Sequence, residues 1–217
     1  MNHAAHNRAV KVFKMMSNSN RLKVLSLLAR TNQPMQVSEI AQLLDIEISN
    51  LSNHLFKMRA LDLVKAIEAN KLNLQFQPIV DAQSDRIAGV EALSRWHHPV
   101  RGTVAPSEFI PIAEDNGIII ALGDRVVENA IAAAKEMPDD IKVGINVSPL
   151  QLHSSRLLSV ISQKLSETDV DPSRIELEIT ESVFLSDNSF ILDRLHKLKR
   201  LGLRIAMDDF GTGFSSL

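Results

Sequence analysis

Apolar positions along this chain recur first at helical spacing and then, past residue 71, at strand spacing, so its rhythm alone divides it. Ala9, Val10, Phe13 and Met16 share one helical face, Ser17 to Asn20 reads as a break and cap, and Leu22, Val24, Leu25, Leu27 and Leu28 form the next stripe, ending near Arg30 and Thr31. After Gln33-Pro34 come a third segment, Val37 to Leu44, a tight connection at Asp45-Ile-Glu47, and a fourth helix from about Ile48 to Leu61. In that fourth helix Ile48, Leu51, Leu55 and Met58 are expected to face one way and Asn50, Asn53, His54 and Lys57 the other. The pattern predicts a helix-turn-helix.

From Leu72 the period shortens. Leu72, Leu74 and Phe76 alternate with Asn73, Gln75 and Gln77, as in a half-buried strand. Strands are then predicted at Ile87 to Trp96, Ile141 to Ser148, Arg174 to Glu181 and Leu203 to Met207. Between them lie helical stretches at Ser107 to Asn116, Gly123 to Met137, Ser155 to Ser166 and Ser189 to Leu201, the last stopped by Gly202. Alternating strand and helix predict an α/β fold with a parallel sheet of about five strands, part of a (β/α) barrel, behind a small all-α domain. The expected boundaries are 1–64 and 65–217.

Charge sharpens that division. Residues 1–64 carry a net charge of +4 and residues 65–217 one of −6, which together give the chain's −2. A basic helical module suits a polyanion, and an acidic one suits a cation-bearing site. With no cysteine among 217 residues, disulfides, thiolate metal sites and cysteine nucleophiles are excluded, which fits a reducing cytoplasm. The longest apolar run, Ile118 to Leu122, is too short to span a bilayer, so no membrane partner is expected.

Candidate chemistry concentrates at strand ends. Asp208 and Asp209 close the last strand side by side ahead of Gly211-Thr-Gly213, and such a pair is best tolerated with a cation between its charges or with one group keeping its proton. Asn146 precedes Glu178 by 32 positions and Glu178 precedes Asp208 by 30, close to one βαβ unit. In a parallel barrel the carboxyl ends of strands converge on one face, so Glu91, Asn146, Glu178 and Asp208 are expected around one point. All four offer oxygen, which favours Mg²⁺, Mn²⁺ or Ca²⁺ over Zn²⁺. His97 and His98 read as loop residues beside Trp96, and Ser148 and Thr180 have no neighbouring His base to make them nucleophiles.

Two resemblances extend these readings. Asn20 to Leu28, Val37 to Ala41 and Leu51 to Val64 resemble the winged-helix repressors of the ArsR type, which implies duplex DNA as partner, with Ser49, Asn50, Asn53, His54 and Lys57 on the reading face. The family's β-hairpin wing has no counterpart, because Lys65 to Lys71 runs on as helix or linker. Glu91-Ala-Leu93, Arg95 to Pro99, Phe109 to Glu114, Asn146 to Pro149, Glu176 to Ser182 and Asp208 to Leu217 are similar to the EAL-domain phosphodiesterases, which linearise cyclic di-GMP. That likeness implies Mg²⁺ or Mn²⁺ as cofactor, with Glu91, Asn146, Glu178 and Asp208 as ligands of a first metal and Asp209 touching a second. It further implies Gln77 and Arg95 against the dinucleotide, and Glu181 bracing the loop that begins at Asp208.

An EAL domain continues past this loop to strands that supply a lysine, a glutamate base and a glutamine, whereas the chain stops at Leu217. The expectation is therefore an incomplete barrel with weak or no hydrolysis, and with an open edge at Leu203 to Met207 that invites a second copy, a homodimer. Two alternatives stay open: a dinucleotide sensor or partner-binding regulator without turnover, and a fragment.

Overall fold

The computed structural model describes residues 18–31, 35–69, 71–180, 183 and 189–208, and for Ala29 and Asp208 the description stops at the backbone. The helix expected at Ala9 to Met16, and Glu181, Asp209 and the Gly-Thr-Gly loop, lie outside the described residues. The chain forms two compact units, residues 1–65 and 66–217.

In the first unit, α1 (Ser19–Thr31) opens on Asn18, whose Oδ1 accepts from the backbone N–H groups of Asn20 (3.0 Å) and Arg21 (3.3 Å). Helix α2 (Val37–Leu44) ends at Asp45, which holds φ 51° and ψ 50°, a left-handed conformation that a short polar side chain tolerates. Ile46 N–H then returns to the Ala41 carbonyl at 3.0 Å, and the chain turns into α3 (Ile48–Glu68). Val24, Ile40, Ala41 and Leu51 are buried at the centre, with Leu28, Leu44, Leu55 and Met58 packed around them. Helix α3 runs to Glu68 rather than stopping near Leu61, so Lys65 to Glu68 is helix. Ile48 does not join the core: as the first residue of α3 it overhangs the end of the apolar stripe and is 56% exposed.

The second unit begins with an antiparallel pair, β1 (Leu72–Val80) and β2 (Ile87–His98). Asp81 closes the turn between them, its Oδ1 accepting from Gln83 N, Ser84 N and Ser84 Oγ, while Asp85 takes φ 57°. A short β3 (Gly102–Val104) pairs with β2. There follow α4 (Pro106–Asp115), α5 (Ile119–Lys135), β4 (Lys142–Asn146), α6 (Pro149–His153), α7 (Arg156–Thr168), β5 (Ile175–Thr180), α8 (Ser189–Arg200) and β6 (Arg204–Asp208). The sheet order is β1-β2-β4-β5-β6, with β2, β4, β5 and β6 mutually parallel. This is the expected α/β architecture, and the barrel is open among the described residues. The antiparallel β1 departs from the all-parallel expectation: a six-residue connection makes a hairpin but is too short for a crossover helix.

Strand alternation decides which face holds the core. Ile175, Leu177 and Ile179 of β5 are buried, while Glu176, Glu178 and Thr180 between them are half-buried on the other face. The apolar face is covered by helices that bury Leu122, Val127, Ala130 and Ile131 of α5, Leu157 and Ile161 of α7, and Ile191 and Leu195 of α8. Each fully buried Leu or Ile contributes roughly 1.5–3 kcal/mol relative to exposure, so this layer anchors the strands. At the amino end of β5, Arg174 is 7% exposed and donates to the carbonyls of Ala134, Met137, Pro138 and Ile141, and to Asp139 Oδ1. One guanidinium thereby satisfies the loop that joins α5 to β4.

Candidate functional site

Residues paired across adjacent strands share a face of the sheet. Glu91 on β2 pairs with Gln77 on β1 and with Gly144 on β4, and Gly144 pairs in turn with Glu176 on β5. One step toward the carboxyl ends Asn146 pairs with Glu178, and one step further Thr180 pairs with Asp208. Gln77, Glu91, Asn146 and Glu178 therefore occupy the polar face, and the Asp208 backbone continues their row on β6.

Two of these side chains touch: Asn146 Nδ2 donates to Glu91 Oε1 at 2.6 Å. The amide oxygen of Asn146 and the second oxygen of Glu91 remain as lone-pair donors. Glu178 is brought to them by a missing side chain. A Cβ placed on Gly144 would lie 2.2 Å from Glu178 Oε1, so the carboxylate lies over the bare backbone of β4, whose neighbour on the far side is Glu91. Sequence reasoning missed Gly144, because its role comes from the strand beside it. Arg95 is half-buried and donates through Nε to Gln75 Oε1 at 2.9 Å, a partner also missed, while Gln77 is exposed.

The donor chemistry fits a hard divalent cation: two carboxylates and one amide oxygen, with no sulfur or imidazole. Among the described residues no group of three or more His, Cys, Asp or Glu assembles, and the Asp208 side chain and Asp209 lie outside them. Above them lies a cavity of about 300 Å³, lined mainly by apolar groups of α4 and α5 but reached by Asn146, Glu178, Thr180, Glu114 and Ser148. After Asn146 the chain enters α6 through a capping box in which Ser148 and Gln151 satisfy each other's backbone. The Ser-Pro-Leu-Gln spacing carried that signal, and α6 was missed for want of a longer apolar period.

In the helical unit, Ser49, Asn50, Asn53 and Lys57 are exposed on α3, and Asn50 Nδ2 donates to Glu47 Oε2 at 3.4 Å. His54 differs from the expectation of an outward face. It is half-buried, its Nδ1 is sealed from solvent without a hydrogen-bond partner, and burial, then the charges of Arg21 and Lys57, lower its pKa. Position 54 lies about 60° around the helix from Leu51, close enough to the apolar stripe to be covered.

An α/β sheet with oxygen donors at the carboxyl ends of parallel strands, accompanied by a helix-turn-helix, defines a two-module protein. Residues 60–217 match the family model of the EAL domain and residues 18–66 that of the bacterial regulatory protein arsR family. The chain belongs to the EAL-domain family and carries an ArsR-type helix-turn-helix. It is 49% identical over 158 residues to an uncharacterized signaling protein of Caulobacter vibrioides, which covers 73% of this chain and 20% of that one. It is 38% identical over 160 residues to the bifunctional diguanylate cyclase/cyclic di-GMP phosphodiesterase MucR of Pseudomonas aeruginosa, 72% of this chain and 23% of that one. A solved MucR phosphodiesterase in complex with c-di-GMP superposes with a TM-score of 0.68 at 36% identity, over 73% of this chain and 66% of that one. The chain thus spans about a fifth of the length of these curated relatives. No helix among the described residues is long and apolar enough to cross a membrane.

Proposed function

We propose that residues 65–217 bind cyclic di-GMP over a site for Mg²⁺ or Mn²⁺ and act on it as a phosphodiesterase, and that residues 1–64 bind duplex DNA, in the cytoplasm. The observation that carries the first part is the Asn146–Glu91 contact at 2.6 Å with Glu178 leaning over Gly144 beside it. Glu91, Asn146, Glu178 and Asp208 would hold the first cation and Asp209 the second. A divalent cation held there would supply Lewis-acid polarisation of a phosphoryl oxygen and acidification of a water. Gln77 and Arg95 orient the dinucleotide, Arg95 through its charge and from a side chain held by Gln75. Glu181 braces the loop that begins at Asp208. For DNA, Asn50, Asn53 and Ser49 meet base edges and Lys57 meets phosphate. His54 adjusts how α3 is seated, through its half-buried ring.

A second reading is binding without turnover. Incubation of the chain with cyclic di-GMP and Mg²⁺ or Mn²⁺, followed by chromatography, separates the two. Linear dinucleotide that disappears in Asn146→Ala supports hydrolysis; binding with no linear product leaves a sensor; no binding at all removes the EAL site from both.

A further inference from the structure

Two motif residues of the sequence, Glu114 and Ser148, have no part in that mechanism, yet they meet. Ser148 Oγ donates to Glu114 Oε1 at 2.7 Å, across 34 positions of sequence, at the wall of the cavity that Asn146 and Glu178 also reach. The same hydroxyl accepts from Leu150 N–H at 3.3 Å, and Ser148 N–H donates to Gln151 Oε1 at 3.1 Å. Gln151 is 4% exposed and sits where α5 has no side chain: a Cβ on Gly123 would lie 1.8 Å from its Nε2. Val147 N–H, one residue before Ser148, donates to the Glu178 carbonyl at 2.9 Å.

The turn from β4 into α6 is thus held from four sides: by Glu114 of α4, by the gap at Gly123 of α5, by the Glu178 backbone of β5, and by its own capping box. Asn146 stands two residues before Ser148, and its amide has to meet Glu91 on one side while presenting its oxygen on the other. A capping box alone needs only Ser148 and Gln151. The Glu114 bond adds nothing to that cap, because Glu114 belongs to another helix. Its effect is to fix where the turn stands relative to α4.

We infer that Glu114 and Ser148 are positioning residues that pre-set the direction of the Asn146 side chain, so that the cation site is formed before the cation arrives. The inference rests on the metal-site reading above and deepens it. Outer partners of ligating side chains typically change metal affinity by about 10- to 100-fold when removed. A cap that only stabilises α6 would lower melting temperature and leave affinity alone.

The test is Mn²⁺ titration of the full chain by calorimetry, with melting followed by circular dichroism, in Ser148→Ala, Ser148→Thr, Glu114→Gln and Asn146→Ala. The expected result is an affinity roughly tenfold weaker for Ser148→Ala, recovery in Ser148→Thr, which keeps the hydroxyl, and an intermediate loss in the near-isosteric Glu114→Gln. Affinity in Ser148→Ala and Glu114→Gln equal to the unaltered chain, with Asn146→Ala weakened, overturns the inference and leaves the metal site standing. Mn²⁺ affinity untouched by Asn146→Ala, or absent from the unaltered chain, removes the metal-site reading and the inference with it. Should Ser148→Ala melt early, the near-isosteric Glu114→Gln decides the matter: weakened Mn²⁺ affinity at an unchanged melting temperature upholds the inference, and unchanged affinity overturns it.

Discussion

On α3 the residues offered to DNA stand apart from one another: Ser49, Asn53 and Lys57 project into solvent, and Asn50 reaches Glu47, one turn back. On the sheet the candidate ligands lean on each other and on the backbone between them, with Asn146 bonded to Glu91 and Glu178 resting over Gly144. One unit therefore displays its chemistry on a single regular element, and the other assembles it from three strands. The first kind of site should lose function in separate increments. The second should fail as a whole.

The largest effect should come from Gly144→Ala. One methyl group, placed 2.2 Å from Glu178 Oε1, forces the carboxylate off β4, and Mn²⁺ affinity should fall by at least about tenfold in a titration, as when an outer support of a ligand is lost. Unchanged affinity would show that Glu178 has another route to the site, and would break the contrast on its strong side. Next in size is coupling. A double-mutant cycle of Glu91→Ala and Asn146→Ala on metal affinity should show an interaction energy of roughly 0.5–3 kcal/mol, whereas Asn50→Ala with Lys57→Ala, two helical turns apart, should add to within about 0.3–0.5 kcal/mol on DNA affinity. Additivity in both would abolish the distinction.

Lys57→Ala should also weaken binding to all duplexes alike and flatten the plot of log affinity against log salt by about 0.9, the share of one phosphate contact. An unaltered slope would mean that Lys57 is merely solvated. The smallest effect concerns His54. Its folded pKa lies below the ordinary 6.5, so the folded unit favours the neutral ring; that contribution is complete above pH 6.5 and is lost as pH falls below it. The urea midpoint of the helical unit should decline between pH 7 and pH 5, and His54→Leu should remove that part of the decline.

Much of the fold beneath both candidate sites was legible because periodicity writes itself into single elements. The 3.6-residue period placed α1, α2 and α3, and the recurrence of Asn146, Glu178 and Asp208 anticipated strands whose ends lie side by side. What escaped lies between elements. Gly144 has meaning only once Glu178 is laid beside it, and the direction of β1 follows from a turn length rather than from alternation. His54 was read as outward although it stands only about 60° from Leu51, at the border of the apolar stripe, where it is half-buried. The three-residue β3 was too short for any period to register.

Arg174 bears on how this molecule can be engineered. With its donors committed to carbonyls from Ala134 to Ile141, the segment joining α5 to β4 has no slack, and a lysine there, with three donors on a single nitrogen, could not replace that fan of contacts. A fluorophore or affinity handle inserted at that end would unpick several carbonyl hydrogen bonds together. The exposed hairpin tip at Gln83 and Ser84, held by one aspartate, is the place to graft it.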